Sequence, residues 1–516
     1  MPAIGSVNKR MVLIAMTGGM SMVFLDSTIV GVSLPTIQRE FNASTAEIQW
    51  IVNAFLLALA VTVAAGGRLG DMFGRRRMFL LGACMFVVFS ALCGAAPSLE
   101  LLILGRLGEG VGGALMLPAA QAIVTTVFGP EERGRALGVL IGISSVFLSA
   151  GPLLGGVITE GISWRGIFYV NLPIGIAAVT MALRYAPESR SPEKSRFDTR
   201  GFLLLAGGLT ALTLALTHGD AWGWLSTPTL AMLAATVVLL PLFVLAERRI
   251  GQPLLDMSLL RDRQFLGANV AVLCLQFALM GLTIYGVIFE QNVLGYSPIL
   301  AGLLYLPATL PTLFIAPLAG RLADRIGSRI PAAIGLGLVT LGFAEIALLA
   351  HEQNFLFLLP GYILFGVGVP LTLTPMNTAA LNVVPPEHRG AGSGFLATTR
   401  QIGSTFGIAV FGALLAAIQS ARFDHALGAV GISRDVADEL SSLVAGAGTS
   451  PASSVKLPQP ALDTLTQVAN DAFVVGFSRA VGLGAVIAFI GMIVVIATIR
   501  RRAAVDAVAP PEPALA

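Results

Sequence analysis

A chain of 516 residues that is 55% hydrophobic and only 12% charged, with a mean hydropathy of +0.82, carries more apolar surface than a soluble core of that size would absorb. This excludes a soluble globular domain. The net charge of +3, scattered over short loops, suits contact with anionic lipid head groups and gives no basis for a nucleic-acid partner.

Taken in chain order, Lys9 and Arg10 precede an apolar run too long for a signal peptide and without a small-residue cleavage site, so the run stays as a first span. Runs of about 20 apolar residues, the length a membrane helix needs, then recur almost to Arg500. They predict fourteen spans, near 11–34, 48–66, 78–96, 101–127, 136–159, 166–184, 201–217, 228–246, 265–289, 299–319, 331–350, 355–380, 392–417 and 475–498. Placing both termini in the cytoplasm puts 24 of the 32 Lys and Arg residues on that side and six outside, the asymmetry expected of inner-membrane proteins. Cys84, Cys93 and Cys274 all fall within spans and read as small packing residues, not as a disulfide or zinc framework.

The loop after the second span, GRLGDMFGRRRM from Gly67, returns after the tenth as GRLADRIGSRIP from Gly320. PEERGRALG, from Pro130, returns as PEHRGAGSG from Pro386. The two offsets, 253 and 256, nearly agree, which implies a duplicated six-helix unit in one orientation. The expected architecture is an all-α membrane protein with an N-terminal six-helix bundle over 1–184. A linker with two inserted spans follows over 185–264, then a C-terminal six-helix bundle over 265–499 with a long external loop at 418–473, and a cytoplasmic tail over 500–516. The inserted pair reads chiefly as a packing element and the long loop as a partly helical spacer.

GRLGDMFGRRRM resembles the signature loop of the major facilitator superfamily. FLDSTIVGVSLPTI in the first span, LGRLGEGVGG in the fourth, SAGPLLGGVI in the fifth and SWRGIFYVNLPIG at the sixth narrow the resemblance to fourteen-span drug:proton antiporters of the EmrB/QacA type. Glu109 stands where that group usually has Gln, and Gly31 and Ser33 stand where Asn and Ala are common. The resemblance implies an inner-membrane exporter of amphiphilic drugs working by alternating access, with protons as the counter-substrate. An endogenous natural product or lipid is the alternative cargo; a metabolite symporter or a membrane sensor is the runner-up. It also implies a protein functional as a monomer, with an adaptor protein left open.

Energy must come from a gradient, because none of the three lysines, Lys9, Lys194 and Lys456, lies in a phosphate-cradling Gly-rich loop, so no ATP site is expected. No cofactor or metal is expected either, since His218, His351, His388 and His425 fall in loops or at span ends. An ionisable residue inside a span is a functional candidate by default. Those residues are Asp26, Arg106, Glu109, Glu345 and Arg400, and Asp26, Arg106 and Glu109 fall at overlapping depths. Asp26 and Glu109 read as proton-coupling acids biased by Arg106, against a purely structural Asp26–Arg106 pair. Arg400 is a counterpart in the second half or a structural pair, and Glu345 is expected to face water. Gly67, Asp71, Gly74 and Arg75 read as a cytoplasmic gate in which Asp71 reaches a helix of the other bundle, with Asp324 as a partial second copy. Gly151, Pro152, Gly155 and Gly156 permit a hinge and close helix approach. Gln121, Gln276, Tyr305 and Asn377 are cavity candidates from depth alone.

Overall fold

A computed structural model describes residues 8–190, 197–250, 254–255, 257–384, 389–430 and 459–500. Among them the regular structure is helical throughout, as lipid demands of a chain that must satisfy its backbone donors within each span. The helices are α1 (Lys9–Ile29), α2 (Leu34–Phe41), α3 (Thr45–Phe73), α4 (Arg75–Gly94), α5 (Leu99–Val127), α6 (Pro130–Gly161), α7 (Gly166–Tyr169) and α8 (Asn171–Tyr185). They continue with α9 (Thr199–Trp222), α10 (Thr227–Glu247), α11 (Arg263–Asn292), α12 (Pro298–Leu304), α13 (Leu306–Thr309), α14 (Pro311–Ile326), α15 (Arg329–Leu349), α16 (Phe355–Asn382), α17 (Arg389–Val430) and α18 (Gln459–Thr498). Thirteen segments are long and apolar enough to cross a membrane, and α3, bent by 50° between Val63 and Ala65, makes the fourteenth. Every span expected from the sequence has a helix.

Packing divides these helices as the repeat implies. In the first group α1 lies on α6 and α8, while α5 takes α3 and α4; in the second, α11 packs on α17 and α18, and α16 on α15 and α14. The α9–α10 hairpin is closed on itself, and α9 also touches α3 and α17, one helix from each bundle. Its seat on α3 is polar: Trp50 donates its indole N–H to His218 Nε2 at 2.9 Å, and Asn53 donates to Thr217 Oγ1 at 3.3 Å.

Contacts between the bundles collect in the half farther from the Gly67–Arg77 loop. Gln291 of α11 donates to the Val32 carbonyl at 2.7 Å, and the Ile299 amide donates to Glu160 at 3.1 Å. The Gly-Pro stretch of α6 makes the seam possible. Gly156 leaves room for the Pro298 carbonyl of α12, Gly302 for that of Pro152, and Gly151 and Gly155 admit Thr28 and Ile29 of α1. A side chain at any of these glycines would collide with a neighbouring strand of helix backbone or with a short, fixed side chain.

The segment 418–473, expected to be partly helical, has helix at both ends: α17 continues to Val430 and α18 begins at Gln459, with 431–458 outside the described residues. Arg422 and Arg479 therefore sit on helices, both exposed. One expectation changes. Glu345 does not simply face water. Both its carboxylate oxygens are buried, against the backbone of Gly361 in α16.

Candidate functional site

Two helices bring three ionisable groups to a single point. Asp26 of α1, Arg106 and Glu109 of α5 are fully buried. Arg106 Nη1 donates to Asp26 Oδ2 at 2.5 Å and to Glu109 Oε2 at 2.7 Å, and its Nε donates to the Ile51 carbonyl of α3 at 2.9 Å. The spacing of Arg106 and Glu109, i and i+3, puts them on one helix face, and Asp26 approaches that face from α1. The guanidinium lies 4.3 Å from the centre of the Phe55 ring and 5.8 Å from that of Phe168, so the cation is held by aromatic faces as well as by acids.

Around this core stand residues that sequence reasoning missed. Asn171, the first residue of α8, donates to Asp26 Oδ1 at 3.1 Å and to Ser90 Oγ at 3.0 Å, and Ser90 donates to the Phe168 carbonyl at 2.9 Å. Cys93 Sγ lies 3.6 Å from Glu109 Oε2. Asn171 had a signal, a lone amide inside the apolar SWRGIFYVNLPIG stretch; Ser90 had none. The balance of charge is the chemical point. Two carboxylates face one guanidinium, and Glu109 Oε1 has no partner. With both acids ionised the cluster carries one net negative charge in a low-dielectric setting; with one proton bound it is neutral.

The remaining candidates lie elsewhere. Asp71 accepts from Arg75 at 3.0 Å, a pair four residues apart, and Arg75 also reaches Thr126 at 3.0 Å. Its carboxylate thus engages its own loop and not a helix of the other bundle. Gly74 has φ +110° and would press a side chain onto Glu188, whose carboxylate accepts from the Arg76 amide at 3.1 Å, so the loop is pinned by the segment following α8. Gly67 faces Pro118 of α5. Asp324 is exposed at the end of α14.

Arg400 of α17 is apart from the cluster and donates to Asn377 of α16 at 3.4 Å. Gln276 donates to Ser404 at 3.3 Å, Tyr305 shares a 2.6 Å hydrogen bond with Thr283, and Gln121 is half-buried on α5. The four cavity candidates therefore each sit in a different setting. Sequence reasoning also missed Glu290, buried at the far end of α11, because the span was ended one residue short of it.

The chain resembles known proteins throughout its length. It is 39% identical over 418 residues to the multidrug resistance protein Stp of Mycobacterium tuberculosis, covering 81% of this chain and 78% of the relative. It is 31% identical over 503 residues to the tetracenomycin C resistance and export protein of Streptomyces glaucescens, covering 97% and 93%. Among solved structures, a bacterial homologue of the human lysosomal transporter Spinster superposes with a TM-score of 0.64 at 18% identity over 97% of this chain and all of the other, a likeness of fold. The family model of the Major Facilitator Superfamily matches residues 16–408, and with those relatives it establishes that this chain belongs to that superfamily, as a multi-pass membrane transporter of small molecules and not an enzyme.

Proposed function

We propose that the chain is a proton-coupled antiporter that exports amphiphilic, drug-like molecules across the bacterial inner membrane by alternating access. The observation that carries this reading is the buried Asp26–Arg106–Glu109 cluster, in which two acids compete for one guanidinium. Such a cluster is neutral only with one proton bound, so a step that loosens either ion pair changes its proton occupancy. The direction of transport follows the relatives, whose names are those of resistance and export proteins. The second of these names also favours a natural product as cargo.

The excess of Lys and Arg on the loops at the Gly67–Arg77 end supports a cytoplasmic placement for that end and for both termini. The seam joining α6 to α12 and α11 to the α1–α2 junction then lies outside, and the conformer is closed to the exterior. Alternation requires that seam to part while the opposite end closes. Asp71 and Arg75, paired in this conformer, are in position to exchange partners when it does, and Asp324 is the weaker counterpart in the second bundle. In this reading Gln121, on the first bundle, and Asn377 with Arg400, on the second, would supply polar contacts to an amphiphilic substrate between the bundles. Inverted membrane vesicles with an imposed pH gradient and a panel of dyes, antibiotics and lipids test the reading. Accumulation that collapses with the gradient supports it, and accumulation indifferent to protons overturns it.

A further inference from the structure

Helix α11 is buried along nearly its whole length, and its interior polar residues do not fall at random. Asn269, Gln276, Thr283 and Glu290 recur every seven residues, and all four are at most 5% exposed. Seven residues are just under two turns, so the four side chains form one slowly turning stripe. At 1.5 Å per residue the stripe extends for about 31 Å, one hydrocarbon thickness. Neighbouring helices meet it with hydroxyls. Thr399 donates to Asn269 at 2.9 Å, Gln276 donates to Ser404 at 3.3 Å, and Thr283 shares a 2.6 Å hydrogen bond with Tyr305. Between Thr283 and Glu290 the phenol of Tyr362 lies over Gly286, whose missing side chain makes room for it, and the Tyr305 and Tyr362 rings meet edge to face at 5.9 Å.

The stripe ends on an acid with no counter-charge. The one group placed to hydrogen-bond to Glu290 among the described residues is the Tyr362 phenol. The titratable groups whose fields reach it are the phenols of Tyr362 on α16 and Tyr305 between α12 and α13, and no cation among the described residues is paired with it. Its neighbour Gln291 holds the Val32 carbonyl across the seam, so Glu290 sits where the closed end must part. A buried carboxylate without a cation is costly when charged, and the Gln276 oxygen, buried without a partner, leaves an acceptor free midway along the stripe.

We propose that the Asn269–Gln276–Thr283–Glu290 stripe is a proton route through the second bundle, separate from the Asp26 cluster, with Glu290 as the acid that takes and gives the proton at the seam. It rests on the proton-antiport reading for its purpose, but its chemistry is testable without any substrate. Infrared spectra of the purified protein in lipid should show a neutral carboxyl band that is lost in Glu290→Gln. Thr283→Val, which keeps the shape and removes the relay hydroxyl, should slow hydrogen–deuterium exchange of that band several-fold in otherwise intact protein. If Glu290→Gln does not insert, the exchange rate in Thr283→Val decides alone. A carboxyl region unchanged by Glu290→Gln, or an exchange rate unchanged by Thr283→Val, overturns the route. Should the band behave as stated in a protein whose export ignores pH gradients, the antiport reading falls and the proton route stands.

Discussion

The two bundles bury acid in opposite ways. In the first, Asp26 and Glu109 are tied to Arg106 within 2.7 Å, and Asn171 and the Ile51 carbonyl complete the shell. In the second, Glu290 is equally buried, with the Tyr362 phenol beside it and no cation paired with it among the described residues. A cluster of two acids on one cation holds helices together through shared ion pairs, and its charge balance changes when one contact loosens. An uncompensated acid is stable in one protonation state only, so it ties its helix to the state of its surroundings.

Breaking the compensation should have the largest effect. Arg106→Gln leaves two buried acids facing each other, and about 3–5 kcal/mol of stability should be lost, read as a lower melting temperature in detergent and reduced protein in the membrane. Glu290→Gln removes an acid but keeps size, polarity and an acceptor for Tyr362 where no ion pair is lost. Its melting temperature should stay close to wild type, and a collapse comparable to Arg106→Gln would show that an unseen partner holds Glu290.

A smaller structural effect with a large functional one is expected at the seam. Gly156→Ala forces a methyl group against the Pro298 carbonyl and should prise α6 from α12. Cysteines introduced along the far half of α12 should then become more reactive to impermeant thiol reagents while folded protein persists; unchanged reactivity would mean that the seam is not what seals this end. Asp71→Asn should disturb folding least, because the ion pair with Arg75 is part-exposed and worth at most about 1 kcal/mol. Reduced export with normal insertion is expected, and full export would reduce the loop to an orientation signal.

Most of the fold was legible in the sequence because lipid leaves a chain few options. Apolar length marked each span, and the return of GRLGDMF as GRLADRI marked the duplication. The Asp26–Arg106–Glu109 cluster was legible for the same reason, since charges inside apolar runs are few and their depths could be compared. Asn171 and Ser90 were not, because neutral polar residues in spans are common and only packing reveals what they touch. Glu290 lay hidden at a helix end, where an acid ordinarily meets water; Tyr362 and Tyr305, distant in sequence, are what enclose it. The seven-residue spacing on α11 was in plain view, yet it acquires meaning only once Thr399, Ser404 and Tyr305 are found opposite it. Within 418–473 partial helix was legible without its bounds, because Ala-, Ser- and Gly-rich composition does not mark where a helix ends.

Whether the first cluster couples protons to export is decided most directly in proteoliposomes loaded with a pH-sensitive dye. Adding an exported substrate to wild-type protein should move protons in the opposite direction, and the movement should be abolished by Asp26→Asn or, if the two acids substitute for one another, by Asp26→Asn with Glu109→Gln, while substrate binding persists. Proton movement that survives the double variant at the wild-type rate would contradict the assignment of coupling to Asp26, Arg106 and Glu109.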